Sequence, residues 1–124
     1  MKTVINTEKA PSAIGPYSQG VIVNGIFYTS GQIPINPETG EVPDGIQAQT
    51  TQIIKNLAAL LQEAGSSFEN VIKTTCFIAN MDDFSAFNEI YGKYFISKPA
   101  RSCVAVKTLP KNVLAEIELV ATVD

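Results

Sequence analysis

Val21-Ile22-Val23-Asn24-Gly25-Ile26-Phe27-Tyr28-Thr29-Ser30 is the stretch on which the fold turns. Two runs rich in β-branched and aromatic residues flank Asn24-Gly25, and both turn residues tolerate the positive φ that a tight primed turn demands. The stretch predicts a β-hairpin. Beyond it, Ser30-Gly31-Gln32-Ile33-Pro34 leaves the second strand, and Asn36-Pro37-Glu38-Thr39-Gly40 reads as a surface turn.

The apolar period then lengthens from strand to helix spacing. Ile46, Thr50, Ile53, Leu57, Leu60, Leu61 and Ala64 fall on one helical stripe, which reads as core. Asp44, with Gln47 three places on, has the pattern of a capping box, and Gly65 supplies a left-handed stop. Val71 to Ala79 is apolar, β-branched and unbroken, so it predicts a strand. Asn80 or Asp82 can cap a second helix with Phe84, Phe87, Ile90, Tyr91 and Tyr94 on its apolar face, ended by Lys98-Pro99. Ala100 to Lys107 and Ala115 to Val123 predict two last strands, joined by Leu109-Pro110-Lys111-Asn112. This order makes an α+β sandwich, a single domain over residues 1–124 with one mixed sheet and both helices on one face. Two helices cannot cover both faces, so a second subunit is expected on the free one.

Composition removes whole classes of chemistry. The 124 residues include no histidine and two cysteines, Cys76 and Cys103. A Ser-His-Asp or Cys-His site cannot form within the chain, and two distant cysteines lack zinc-ligand spacing. Gly15, Gly20, Gly25 and Gly31 are spaced wrongly for a phosphate loop. Twelve acids against nine bases, without a basic cluster, weigh against nucleic acid. No apolar run is long enough to span a membrane, the N-terminal residues lack a signal-peptide pattern, and free thiols fit a reducing cytoplasm.

What is left is carboxylates, hydroxyls, backbone groups and one arginine. Arg101, within Pro99-Ala100-Arg101-Ser102-Cys103-Val104, is the only arginine in the chain. Its planar fork suits a carboxylate, although a surface ion pair or a packing stem would also use it. Strand alternation puts Arg101, Cys103 and Ala105 on one face, and Glu116 and Glu118 together on a face of the last strand. If those two strands pair antiparallel, one register parity brings a glutamate to the arginine's side, as base or as counterion. Cys103 reads as structural in preference to nucleophilic, for want of a visible base, and Cys76 as packing. Tyr17, in a turn-rich loop, could close over a ligand or simply pack at a rim; Ser30-Gly31 could offer a hydroxyl and an exposed amide.

Ile14-Gly15-Pro16-Tyr17-Ser18-Gln19, Ser30-Gly31-Gln32, the turn at residues 36–40 and the arginine block followed by Leu109-Pro110 and Glu116-Ile117-Glu118 together resemble the RidA (YjgF) family of enamine/imine deaminases, end to end. The resemblance implies a chorismate-mutase-like fold with a six-stranded sheet, assembled as a homotrimer with clefts between subunits. It implies cofactor-free hydrolysis of 2-aminoacrylate/2-iminopropanoate or 2-iminobutanoate to 2-keto acids and ammonia, downstream of pyridoxal-phosphate dehydratases. Arg101 would anchor the substrate carboxylate, Glu116 would be the acid/base or water-orienting group, and Cys103 would line the cleft. Tyr17, Ser30 and Gly31 would come largely from the neighbouring subunit, and Asn88 also falls at a favoured position. Three rival readings are a non-enzymatic trimer that binds or senses a keto acid, an RNA-directed activity and a holdase role.

Overall fold

The computed structural model describes residues 1–124. Its elements in chain order are β1 (Lys2–Ile5), β2 (Gly20–Val23), β3 (Ile26–Thr29), α1 (Ile46–Ala64), β4 (Val71–Ile78), α2 (Phe84–Tyr94), β5 (Ala100–Ala105) and β6 (Ala115–Thr122). The six strands form one mixed sheet in the order β1-β2-β3-β6-β4-β5. The hairpin forms as expected: Asn24 and Gly25 take φ of 52° and 75°, and Val23 pairs with Ile26. β1 was not anticipated, because a four-residue edge strand with only Ile5 buried leaves almost no periodic signal.

β6 lies centrally and alternates cleanly. Ala115, Ile117, Leu119 and Ala121 are buried, while Glu116 and Glu118 face the other way. β4 pairs antiparallel with β6 and parallel with β5. A parallel neighbour needs a crossover, and α2 supplies it, packing over the same sheet face as α1. That face holds one core cluster of 19 buried residues, centred on Phe27, Ile53, Leu57, Leu60, Cys76, Phe87 and Ile117. The opposite face is uncovered and carries exposed Val4, Tyr28 and Val104. No helix is long and apolar enough to cross a membrane.

Three expectations need correction. Asp44 and Gln47 form no capping box: α1 starts at Ile46 behind Gly45, whose φ of 89° and ψ of 156° suit glycine, and no side chain caps the helix. α2 stops at Tyr94, before Lys98-Pro99; Tyr94 is exposed, and Phe95, one residue past the helix, is buried instead. Most consequentially, β5 and β6 are not neighbours, since β4 lies between them. Gly65 does end α1 in the left-handed conformation, and Asn80 caps the short turn that leads into α2.

Buried polar side chains tie the loops to this frame. Asn56 on α1 donates to the carbonyls of Ile33 and Ile35, and Gln49 accepts from the amide of Leu114. Gln19, 2% exposed, accepts from the Thr7 amide at 2.7 Å and donates to the carbonyls of Thr7, Ala10 and Pro11. Its own carbonyl receives the Ser30 amide. One amide side chain thus holds the N-terminal segment against the Tyr17 and Ser30 loops. Gln19→Leu, which keeps the bulk and removes the bonds, should cost about 2 kcal/mol of stability and speed proteolysis between residues 6 and 13. Denaturant unfolding and limited proteolysis check this; an unchanged cleavage rate would contradict it.

Candidate functional site

Register decides which side chains can meet. In the parallel pair Thr74 stands beside Arg101 and Cys76 beside Cys103; in the antiparallel pair Phe77 stands beside Glu116 and Thr75 beside Glu118. Thr74 and Cys76 are of opposite parity to Thr75 and Phe77, so Arg101 and Glu116 sit on opposite faces of the sheet. The expectation that one pairing parity brings them together within the chain fails, and so does a structural ion pair between them.

On the helix side, Arg101 lies under α2. Its Nη1 donates to Oδ1 of Asn88 at 2.5 Å, and its Cζ lies 4.7 Å from the ring centroid of Tyr91 and 5.5 Å from that of Phe84. Each of these partners is neutral, so the charge is held without being cancelled. An open depression of about 450 Å³, with Asn88, Tyr91, Gly92 and Arg101 in its wall, lies beside it. Cys103 is on the same face two residues on. Burial raises its thiol pKa, against a weaker opposite pull from Arg101, which favours a neutral thiol over a nucleophile. The buried Cys76 thiol is pushed up to about 12, chiefly by desolvation.

The other expected residues gather around the end of β3. Tyr17 and Ser30 line one hollow of about 510 Å³, and Tyr17 and Gly31 line a narrower one of about 240 Å³ that also includes Pro110. Tyr17 is half exposed, and its hydroxyl accepts from the Ile14 amide at 3.3 Å. The Ser30 hydroxyl donates to the Ser18 carbonyl at 2.5 Å, so it faces a ligand as an acceptor. Gly31 lies tight against Glu116: a Cβ there would fall on the carboxylate, which would have to swing aside. Burial, with Glu118 two residues away as a secondary cause, raises the pKa of Glu116 above its ordinary value.

The structure thus gathers the expected residues into two groups on opposite faces of the sheet. Asn88, Arg101 and Cys103 form a cationic one, and Tyr17, Ser30, Gly31 and Glu116 form an acid-bearing one. Two contributors lacked any sequence signal of their role: Gln19, a polar residue beside a strand, and Tyr91, which reads as one more member of an apolar stripe.

The family profile described as Endoribonuclease L-PSP matches residues 7–123. AldR of Lactococcus lactis, described as a candidate regulator, is 60% identical over 122 residues, 97% of each chain. Among solved structures, the Escherichia coli TdcF crystal structure with bound serine is 44% identical, covers 98% of this chain and 99% of its own, and superposes with a TM-score of 0.94. A Yersinia pestis member of the conserved Rid protein family, YyfA, is 52% identical with a TM-score of 0.96, covering 99% of this chain and 100% of its own.

The raised Glu116 pKa has a signed consequence for stability. The folded chain holds this proton more tightly than the unfolded chain, so the associated stability is present below the ordinary glutamate value and is lost as pH rises through the raised one. Over that window wild type should lose stability relative to Glu116→Gln; parallel stability curves for the two proteins would contradict it. Gly31→Ala should displace the carboxylate and move the Glu116 titration followed by carboxyl NMR.

Proposed function

The chain belongs to the YjgF/RidA/RutC family, and from that premise we propose that it hydrolyses reactive 2-imino acids, formed from enamines such as 2-aminoacrylate, to 2-keto acids and ammonia. The observation that carries the reading is a lone guanidinium held by neutral partners, with a carboxylate of raised pKa on the other face of the same sheet. The amino acid in the TdcF crystal structure supports a ligand of this size and chemistry.

The division of labour follows from the groups. Arg101 takes the substrate carboxylate in its fork and thereby fixes C2. Water adds to C2, a C–O bond forms, and the C=N π pair moves to nitrogen, which takes a proton. The C–N bond then breaks as the carbonyl forms, and ammonia leaves. Glu116 takes one proton from the attacking water and then the second from the hydroxyl as the carbonyl forms, passing each in turn to the nitrogen; a pKa above the ordinary carboxylate value suits these transfers near neutrality. A placed acid/base group of this kind contributes about 10² to 10⁴ in rate. Hydrolysis here uses no covalent nucleophile, in keeping with the raised pKa of Cys103.

Because the half-sites lie on opposite faces, the reading requires a second copy of the chain. One copy supplies Asn88, Arg101 and Cys103, and the next supplies Tyr17, Ser30, Gly31 and Glu116. The homotrimer implied by the family would meet this by setting the uncovered face of one copy, which carries Glu116, against the β5 edge of the next, where Arg101 lies under α2. RNA cleavage, which the name of the family profile suggests, has less in its favour: the formal net charge is −3 and no histidine is present.

A coupled assay tests the reaction: a serine or threonine dehydratase feeds the enamine, and keto-acid release is followed with and without this protein. Acceleration over the spontaneous rate is expected. Binding of 2-ketobutyrate without acceleration would favour a carrier or sensor instead. Arg101→Lys should raise KM about tenfold, because a point charge loses the fork geometry; Glu116→Gln should lower kcat about 100-fold. The divided site makes a sharper prediction. Arg101→Ala and Glu116→Gln chains, each strongly impaired alone, should regain activity when unfolded and reassembled together. About a quarter of the sites in a random mixture would be intact. No recovery from correctly assembled mixtures would refute sharing between copies.

A further inference from the structure

A guanidinium on a long side chain has many rotamers, and a useful anion anchor must lose most of them before the ligand arrives. Two contacts do this for Arg101, and both come from α2. Asn88 holds one edge of the guanidinium through Nη1. Tyr91, three residues on and so next to Asn88 on the helix surface, has its ring 4.7 Å from Cζ. An edge contact and a face contact together fix both the position and the plane of a planar group.

Of the two rings near the cation, Tyr91 is the better fixed. Phe84 is farther off, at 5.5 Å, and is half-buried. Tyr91 is 7% exposed, stacks on Phe95 at 4.2 Å with the planes 17° apart, and stacks on Phe87 at 5.9 Å. Its hydroxyl shares a 2.7 Å hydrogen bond with that of Thr74, which is completely buried. Thr74 is also the register partner of Arg101 in the β4–β5 pair. The strand pairing that sets the arginine backbone therefore also sets the post to which the tyrosine is tied.

We propose that Tyr91 is a positioning residue of the anion site: anchored to Thr74, its ring sets the plane in which the Arg101 fork meets a carboxylate. It acts through Arg101 and performs no proton transfer. The inference rests on the reading of Arg101 as a carboxylate anchor and adds a requirement that this reading does not contain. Charge at residue 101 is insufficient, and the Thr74–Tyr91 tether must be present for the fork to be ready.

The test uses the assembled protein and 2-ketobutyrate as probe. Tyr91→Leu removes the ring, and the paired substitution Thr74→Val with Tyr91→Phe keeps volume and ring while deleting both hydroxyls, so that neither is left buried and unpaired. Tyr91→Leu should weaken 2-ketobutyrate binding about tenfold, and the paired variant about threefold. In an Arg101→Ala background, with titration by NMR to millimolar ligand, neither change should weaken binding further, because the effect passes through the arginine. Arg101 is the only arginine, so its Nε–H gives one side-chain signal. That signal should lose the Tyr91 share of its ring-current shift in Tyr91→Leu and keep that of Phe84. Should Tyr91→Leu fail to fold, the paired variant carries the same comparison. Equal losses with and without Arg101 would make Tyr91 merely structural and overturn the proposal, as would full affinity in both variants. A wild-type chain that does not bind 2-ketobutyrate at all would instead overturn the anchor reading, and this inference with it.

Discussion

A β-strand sends successive side chains to opposite faces, and no rotamer change can undo that parity. The arrangement of the candidate site follows from this constraint. Arg101 shares its row with Thr74, and Glu116 shares its row with Phe77, three residues farther along the same strand β4. An odd separation puts the two functional groups on opposite sides of the sheet. The arginine turns under α2, and the glutamate turns toward Gly31. A site that needs both must draw them from different copies of the chain, so the proposed chemistry and the proposed assembly stand on one geometric fact. The uncovered face with Val4, Tyr28 and Val104 gives that assembly an apolar surface to bury.

Each half is also electrostatically prepared for a different task. An arginine surrounded by an amide and two rings keeps its attraction for an incoming anion, whereas a bound carboxylate would have spent it. Glu116 is raised by burial and by Glu118, which moves it toward the range where a carboxyl group both takes and gives a proton. Gly31 allows that carboxylate to lie against the backbone, a closeness that any side chain would prevent. With no histidine in the chain and both thiol pKa values raised, the proposal assigns proton handling to Glu116 and anion binding to Arg101.

Much of the fold was legible because its signals are local. Asn24-Gly25 names its turn, the α1 stripe repeats over nineteen residues, and Gly65 has the one residue type that readily adopts φ of 78°. The strand order was not legible, since local patterning says which face a residue takes and nothing about which strand lies beside it. Reading β5 against β6 therefore left Arg101 and Glu116 free to meet, and it is the register of each strand against β4, Thr74 beside Arg101 and Phe77 beside Glu116, that separates the two. Asp44 misled for a similar reason: the capping pattern was present, but a glycine with open backbone geometry starts the helix one residue later. Gln19 and Tyr91 stayed hidden because their partners are distant in sequence. An amide near a strand looks like surface, and a tyrosine in an apolar stripe looks like core, until the loops at residues 7–11 and the arginine arrive beside them.

The most direct test of the divided site is a crystal structure of the assembled protein with 2-ketobutyrate. The ligand carboxylate should lie in the fork of Arg101 from one copy, with its carbonyl carbon facing Glu116 from another. A keto acid held by Arg101 with no second copy's Glu116 near it, or held away from Arg101 altogether, would contradict the divided site.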